Sequence, residues 1–377
     1  MNGIKPEYKV PSMSEIKKIP FNGYNVISTF SGGGGSCLGY RMAGFNVLWA
    51  NEFVEEAQKT YRLNHPDVIL DTRDIRTITA DEILAVLGRS SGEVDLLDGS
   101  PPCCAFSTAG KREKNWGTER AYSDGKSQQV ENLFFEYIRL LNGLQPKTFI
   151  AENVSGLVKG TAIGYFKEFM HEMKQCGYRV KAQLLNAKYL GVPQSRERLI
   201  FIGVRNDLNM DPVFPKPFKY VYSLGDALKT VQNDPDEVEK LLKDADKYSW
   251  GQVLKRIPKN PKHFISGQEV TNGVSYFSLR RESMYEPCTT ICQSNGTRSG
   301  NSHPLQDRKF TIAELKRITS VPDDFIVTGN YAQQWERLGR MVPPVMMMHI
   351  ADTLRKEVLD RCRTMWCLME SGNSIRK

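Results

Sequence analysis

Between Asp98 and Gly110 the chain reads DGSPPCCAFSTAG, and two prolines lead directly into two cysteines. Proline fixes its own φ and restricts the residue before it, so the pair stiffens the segment and sets its direction. A cysteine placed just after such a pair is presented rather than buried. The thiolate is the reactive form, and a free thiol ionises near about pH 8.5. The site must therefore favour the anion or take the proton on demand. Cys103 follows the prolines directly and is the favoured nucleophile, with Cys104 as its neighbour and competitor. Farther along, AENVSGL (Ala151 to Leu157) supplies a carboxylate at Glu152 and an amide at Asn153. VPQSRERLIFIG (Val192 to Gly203) sets Arg196 and Arg198 two residues apart, a pattern that alone reads as a solvated charge cluster ahead of a strand.

A second constellation suits a nucleotide. FSGGGGSCLGY (Phe30 to Tyr40) follows a strand-like run, and glycines there let the backbone turn tightly and approach a ligand. Glu52 comes at the end of the next strand-like run, where an acidic residue takes ribose hydroxyls. Asp74, in DTRDI, could meet an adenine edge. The loop lacks the basic residue of an ATP-binding P-loop, whereas a dinucleotide dehydrogenase stays open on these residues.

Both sets need a scaffold. Val26–Phe30, Phe45–Ala50, Val68–Leu70, Val94–Asp98, Thr148–Glu152 and Leu199–Val204 read as strands alternating with helix-like stretches such as LFFEYIRLLNGL. That alternation argues for an α/β fold with a doubly wound, mostly parallel sheet. The expected chemistry lies at the C-terminal edge of such a sheet. From about residue 212 to 305 the chain is rich in Pro, Gly, Asn, Ser and Lys, which suits a smaller, loop-rich unit. Helical periodicity returns with TIAELKRI and again from Val345 to Val358.

The bulk numbers fit this scheme. The 377 residues accommodate one large domain and a smaller one, and 40% hydrophobic residues supply a core. Lys and Arg number 51 against 43 acidic residues, and the resulting +8 suits a polyanionic partner. The eight cysteines are scattered without a CxxC pair; Cys288 and Cys292 have no matching pair nearby, so no metal is expected. No apolar stretch reaches the roughly 18 residues of a membrane span, and MNGIKPEYKV lacks the apolar run of a signal peptide. A cytoplasmic chain with reduced thiols is the expectation.

Together the motifs resemble those of DNA cytosine-5 methyltransferases of bacterial or phage type, in family order and over nearly the whole chain. PPCCAFS resembles the family's Pro-Cys-Gln loop, with Cys103 at the nucleophile position and Cys104 in place of glutamine. AENV resembles its Glu-Asn-Val motif, and QSRER its Gln-x-Arg-x-Arg motif. RKFTIAELKRITSVPDDF (Arg308 to Phe325) resembles the segment that organises the DNA-recognition domain; Arg308, Thr311 and Glu314 match, and Phe310 replaces leucine. LGRMVPPVMMMHIADTL (Leu338 to Leu354) resembles the last motif, with Arg340 and Met341 where the family has Asn-Ser or Asn-Ala.

The resemblance implies a Rossmann-like catalytic domain from residues 1–211 and 329–377 and a target-recognition domain from 212–328. It implies S-adenosylmethionine as methyl donor, held by Phe30, Gly32, Gly34, Gly35, Glu52, Phe53, Asp74, Ile75, Pro102 and Leu133, with Phe30 stacked on the adenine. Glu152 would hydrogen-bond N3 and the exocyclic amine of the target cytosine. Asn153 would brace the loop backbone, Arg198 would reach O2 and Arg196 would steady the catalytic loop. The partner implied is double-stranded DNA, read by a monomer in a restriction-modification setting with any cognate endonuclease a separate protein. LRRESMYEPCTTI and GTRSGNSHP would supply loops facing phosphates and base edges. Lys111, Arg112, Lys114 and Arg120 would close over phosphate. Two alternatives remain at this level: the related branch that methylates transfer RNA, and a non-catalytic DNA-binding protein on the same scaffold.

Overall fold

The computed structural model describes residues 5–102, 120–121, 127–128, 133–271, 276, 278–293 and 300–365. Its centre is a seven-stranded sheet of β1 (Asn25–Thr29), β2 (Asn46–Asn51), β3 (Ile69–Asp71), β4 (Leu96–Gly99), β5 (Thr148–Val154), β6 (Tyr178–Asn186) and β7 (Glu197–Arg205). The order across the sheet is β3-β2-β1-β4-β5-β7-β6. The first five of these in space are parallel, and β7 runs antiparallel to both its neighbours. The chain order reverses between β1 and β4, the kind of switch point at which open α/β sheets bind ligands.

The strand predictions hold to within a residue or two at most ends, because central strands covered on both faces are continuous apolar runs. Every residue from Val26 to Thr29, Leu96 to Gly99 and Thr148 to Asn153 is buried. The exception is β6, which was not anticipated. YRVKAQLLN alternates buried and exposed positions and places Arg179 and Lys181 toward solvent, as an edge strand does.

Helices of seven residues or more cover both faces. On one side lie α1 (Gly35–Met42), α2 (Glu55–Asn64) and, far down the chain, α10 (Pro344–Leu354). On the other lie α3 (Ala80–Leu87), α4 (Leu133–Leu144) and α5 (Ile163–Gln175). Thr79 and Glu82 form a capping box at the start of α3, and Gly88 ends it in the left-handed conformation at φ 60°.

The later part of the chain contributes α6 (Pro235–Lys247), α7 (Ser249–Arg256), α8 (Ile312–Ile318) and α9 (Tyr331–Arg340). Trp250, Val253, Leu254, Ile257 and Leu279 make a small core of their own. Cys288, Ile291, Phe310, Leu315, Ile318 and Phe325 instead share a core with Leu38 and Met42 of α1 and with Trp335 and Leu338 of α9. Buried cations hold this region where sheet pairing is sparse. Arg281 is wholly buried and donates to the carbonyls of Leu254, His303 and Gln306 and to the Asp307 carboxylate. Arg308 pairs in two-pronged fashion with Glu314, which also closes a capping box with Thr311. The expectation that LRRESMYEPCTTI is a DNA-facing loop therefore needs correction for Arg281 and Glu282, whose polar groups serve internal bonds. Tyr285 in the same stretch is 67% exposed.

Helix α10 reaches the sheet by lying against α1 with almost no gap. A Cβ on Gly39 would come within 2.6 Å of the Pro344 carbonyl oxygen and 2.7 Å of Met347 Cβ. Gly39→Ala is expected to lower stability by about 1–3 kcal/mol through overpacking. The expected reading is a lower urea midpoint with an unchanged slope. An unchanged midpoint would show that the two helices separate without loss.

Candidate active site

The glycine loop leaves β1 through three residues with positive φ, Phe30 at 54°, Gly32 at 56° and Gly34 at 91°. For a bulky residue such as Phe30 that conformation is strained, and a ligand-clamping turn is where such strain is found. The four glycines do different work. A Cβ on Gly32 would meet open space, so this residue faces outward. A Cβ on Gly34 would lie 2.4 Å from His65 Nε2, and one on Gly35 would lie 2.1 Å from Met341 Cγ. Gly34 and Gly35 thus admit protein neighbours behind the loop. His65 is buried there against Tyr61, and its Nε2 lies 3.2 Å from the Gly34 carbonyl oxygen. Burial pulls the imidazole down to about 3, so it stays neutral.

Glu52, at the end of β2, accepts from the Gly32 N–H at 2.7 Å and the Val54 N–H at 2.6 Å. Burial raises its pKa, while these two backbone donors oppose the rise. Its carboxylate is therefore fixed beside the outward-facing glycine. Phe53 packs on Val54 and Ala57. Asn51 reaches across to the carbonyls of Asp71 and Arg73 and ties the end of β3 to β2. Asp74 caps the short turn Ile75–Thr77 and pairs with Arg76 at 2.6 Å. Ile75 and Leu133, the first residue of α4, are both buried in the core on this side of the sheet.

The second half of the site is one row of polar side chains across four strands. Ser28 on β1 stands opposite Asp98 on β4, and Asp98 stands opposite Ile150 on β5. Glu152 lies two residues beyond Ile150, on the same face. Glu152 in turn stands opposite Ile200 on β7, and Arg198 lies two residues before Ile200. The diagonal brings Arg198 Nε to 2.6 Å from Glu152 Oε1, with both side chains largely buried. Pro101 and Pro102 follow β4, and Asn153 Nδ2 approaches the Pro101 carbonyl oxygen at 3.5 Å. Asn153 thus approaches the backbone of the loop it was expected to brace, whereas the Glu152–Arg198 pair was not anticipated from the sequence. Cys103, Cys104, Lys111, Arg112 and Lys114 lie outside the described residues, as does the side chain of Arg120.

Arg196 bonds to the later part of the chain, and the catalytic loop it was expected to steady lies outside the described residues. It is 1% exposed, and its guanidinium donates to the carbonyls of Ile291 at 2.9 Å and Gly339 at 2.9 Å. Burial and the neighbouring Arg198 lower its pKa to about 9. Gln194, quoted in the motif but given no role, accepts from the Ile291 N–H. Short strands Gln194–Ser195 and Cys288–Thr289 pair in parallel beside them. The motif's first half therefore ties Cys288–Cys292 and α9 to the sheet edge. On the far side of the glycine loop Met341 fills the space above Gly33 and Gly35, and Arg340 pairs with Glu336.

Among the described residues no group of three His, Cys, Asp or Glu side chains could hold a metal ion, and no helix is long and apolar enough to cross a membrane. The site thus offers a nucleotide-suited turn and a carboxylate–guanidinium pair beside a Pro-Pro-Cys segment. Residues 24–356 match the C-5 cytosine-specific DNA methylase family. The chain belongs to that family. It is an α/β enzyme of DNA cytosine-5 methylation, in agreement with the sequence reading. It is similar to the Type II methyltransferase M.Sau96I of Staphylococcus aureus, with 32% identity over 92% of this chain and 80% of the other. It is also 30% identical to M.NgoFVII of Neisseria gonorrhoeae, over 87% and 86% of the two chains. Among solved structures, Spodoptera frugiperda DNMT2 superposes with a TM-score of 0.63 at 18% identity, covering 89% of this chain and 100% of that one. An Escherichia coli prophage protein assigned as a DNA modification methyltransferase gives 0.67 at 23% identity, covering 90% and 100%.

Within this family member the two motif arginines should separate experimentally. Arg196→Met leaves buried carbonyls without donors and is expected to cost on the order of 2–4 kcal/mol of stability by chemical denaturation. Arg198→Met breaks one ion pair at the sheet edge and is expected to cost less stability than Arg196→Met while abolishing most of the methyl transfer. Equal stability losses in the two variants would contradict this division.

Proposed function

We propose that the chain methylates C5 of a cytosine flipped out of double-stranded DNA, with S-adenosylmethionine as donor and Cys103 as the covalent nucleophile. The observation that carries this reading is the Glu152–Arg198 pair, held at the sheet's C-terminal edge next to the Pro101–Pro102 entry to Cys103. A base inside a duplex offers neither C5 nor C6 to attack, so the cytosine must leave the stack.

The residues present fit the cofactor. The open space at Gly32 and the fixed Glu52 carboxylate suit a ribose, and Phe30 is placed by its positive φ at the mouth of the same turn. Phe53, Asp74, Ile75, Pro102 and Leu133 complete the proposed contact set, with Gly34 and Gly35 shaping the loop from behind. When bound, S-adenosylmethionine would supply an electrophilic methyl group, its sulfonium sulfur keeping the bonding pair and leaving as a neutral thioether.

The chain's own groups do the rest. The Cys103 thiolate bonds to C6, and the electron pair of the C5–C6 double bond becomes available at C5. Glu152 holds a proton at N3 and accepts from the exocyclic amine, which neutralises charge where it develops. Arg198 fixes Glu152 and reaches O2. After C5 takes the methyl group, a base removes the C5 proton, the double bond re-forms and the Cys103–C6 bond breaks.

Residues 212–328 are proposed as the target-recognition part, with exposed Tyr285, Phe264 and His263 among its outward side chains. The Type II methyltransferases to which the chain is similar support a restriction-modification role. The same reading takes the chain as a cytoplasmic monomer, with any cognate endonuclease a separate protein. The test is transfer of a labelled methyl group from S-adenosylmethionine to mixed genomic DNA. Label recovered as 5-methylcytosine, lost with Cys103→Ser and kept with Cys104→Ser, is expected. Folded wild-type protein that labels transfer RNA and not DNA would overturn the substrate, and label that survives Cys103→Ser would overturn the nucleophile.

A further inference from the structure

The chemistry just described gives no task to Asp98, a carboxylate 1% exposed and five residues before Cys103. It sits at the switch point between β1 and β4, opposite Ser28. Ser28 Oγ donates to one carboxylate oxygen at 2.8 Å, and Tyr40 OH, from α1, donates to the other at 2.8 Å. Ser31, in the glycine loop, donates to Ser28 Oγ at 3.0 Å. The next residue, Gly32, is bonded to Glu52. Thr29 Oγ1 adds a bond to the Asp98 carbonyl oxygen at 3.0 Å. An unbroken chain of hydrogen bonds thus runs from the glycine loop, through Ser31 and Ser28, to the strand that carries the nucleophile segment.

An ionised carboxylate in this position is costly, and an amide or an apolar side chain would fill the space more cheaply. We propose that Asp98 is a positioning residue for methyl transfer: by accepting from Ser28 and Tyr40 together, it locks the glycine loop and α1 to the segment that ends in Cys103. This rests on the methyltransferase reading above. The two sub-sites are otherwise built on separate strands, and a spacing error between them would be felt directly in the transfer step.

Burial pushes the Asp98 carboxyl up to about 7; the Ser28 and Tyr40 hydroxyls oppose that rise, and the charge of Glu152 adds to it. The titratable groups facing it are Tyr40 and Cys37 of α1, Tyr61 of α2, Tyr137 of α4 and Glu152 of β5, with Arg41 near Cys37 and Tyr61. Only the ionised carboxylate accepts from both hydroxyls while donating nothing. Methyl transfer should therefore rise with pH through about 7 as the lock completes. Stability follows the opposite sign. A raised folded-state pKa contributes stability that is fully present below the ordinary carboxylate range and is lost as pH rises through about 7.

The experiment compares wild type, Asp98→Asn and Tyr40→Phe in steady-state methyl transfer to DNA from pH 5.5 to 9, together with thermal unfolding at pH 8. In Asp98→Asn a loss in kcat of about tenfold is expected, with both KM values within about twofold and the limb near neutral pH gone. Its melting temperature at pH 8 should be no lower than that of wild type. Tyr40→Phe should lower kcat in the same sense. An active wild type matched by Asp98→Asn in kcat and pH profile would overturn the proposal alone. So would a kcat loss accompanied by a lower melting temperature at pH 8, which marks a merely structural role. A wild type that transfers no methyl group to DNA would overturn the functional reading, and this proposal with it.

Discussion

The site depends on one register, that of β7 against β5. Because β7 runs antiparallel to β5, its first residues lie at the functional edge where β5 ends. The pairing of Ile200 with Glu152 leaves Arg198 on the same face and one diagonal away, close enough to bond the carboxylate. A slip of one residue would turn Arg198 to the opposite face and leave Glu152 buried without its cation. The same strand start sends Gln194 and Arg196 the other way, into the carbonyls of Ile291 and Gly339. One short stretch of chain therefore fixes the Glu152 carboxylate and anchors the later region to the sheet.

That anchoring suits a region with few strands. Arg196, Arg281 and Arg308 are each at most 2% exposed, and each bonds backbone carbonyls; Arg281 and Arg308 also pair with carboxylates. A guanidinium has five donors in a fixed fork, so a single buried side chain can hold several loop segments at once. Lys309, also buried, lies over the rings of Trp250 and Trp335 at 5.3 and 5.5 Å. Part of the chain's positive charge is thus internal scaffolding rather than surface for DNA.

The central strands and the order of motifs were legible because continuous apolar runs and Gly-rich or Pro-rich punctuation are local signals. Glu52, Glu152 and Arg198 were legible for the same reason: each sits at the end or start of a strand that announces itself. Edge strand β6 was not, since its charged alternate residues look like loop. Nor was the inward turn of Arg196 and Arg281, because a cation's partners are carbonyls more than twenty residues away, which sequence spacing does not encode. Asp98 was visible in DGSPPCC yet unremarkable; its meaning comes from Ser28 and Tyr40, which are brought to it only by sheet register and helix packing. The unequal roles of the glycines likewise emerge only once His65 and Met341 are in place behind them.

The proposed covalent bond between Cys103 and C6 of a flipped cytosine can be captured on the protein. Duplex DNA carrying 5-fluorocytosine is incubated with the protein and S-adenosylmethionine. Fluorine at C5 cannot leave as a proton does, so the final elimination is blocked and the sulfur–carbon bond persists. The expected result is a detergent-stable protein–DNA complex, formed only with the cofactor present, whose fragmentation spectrum places the nucleotide on Cys103. A folded, active protein that yields no such complex, or one joined through Cys104, would contradict it.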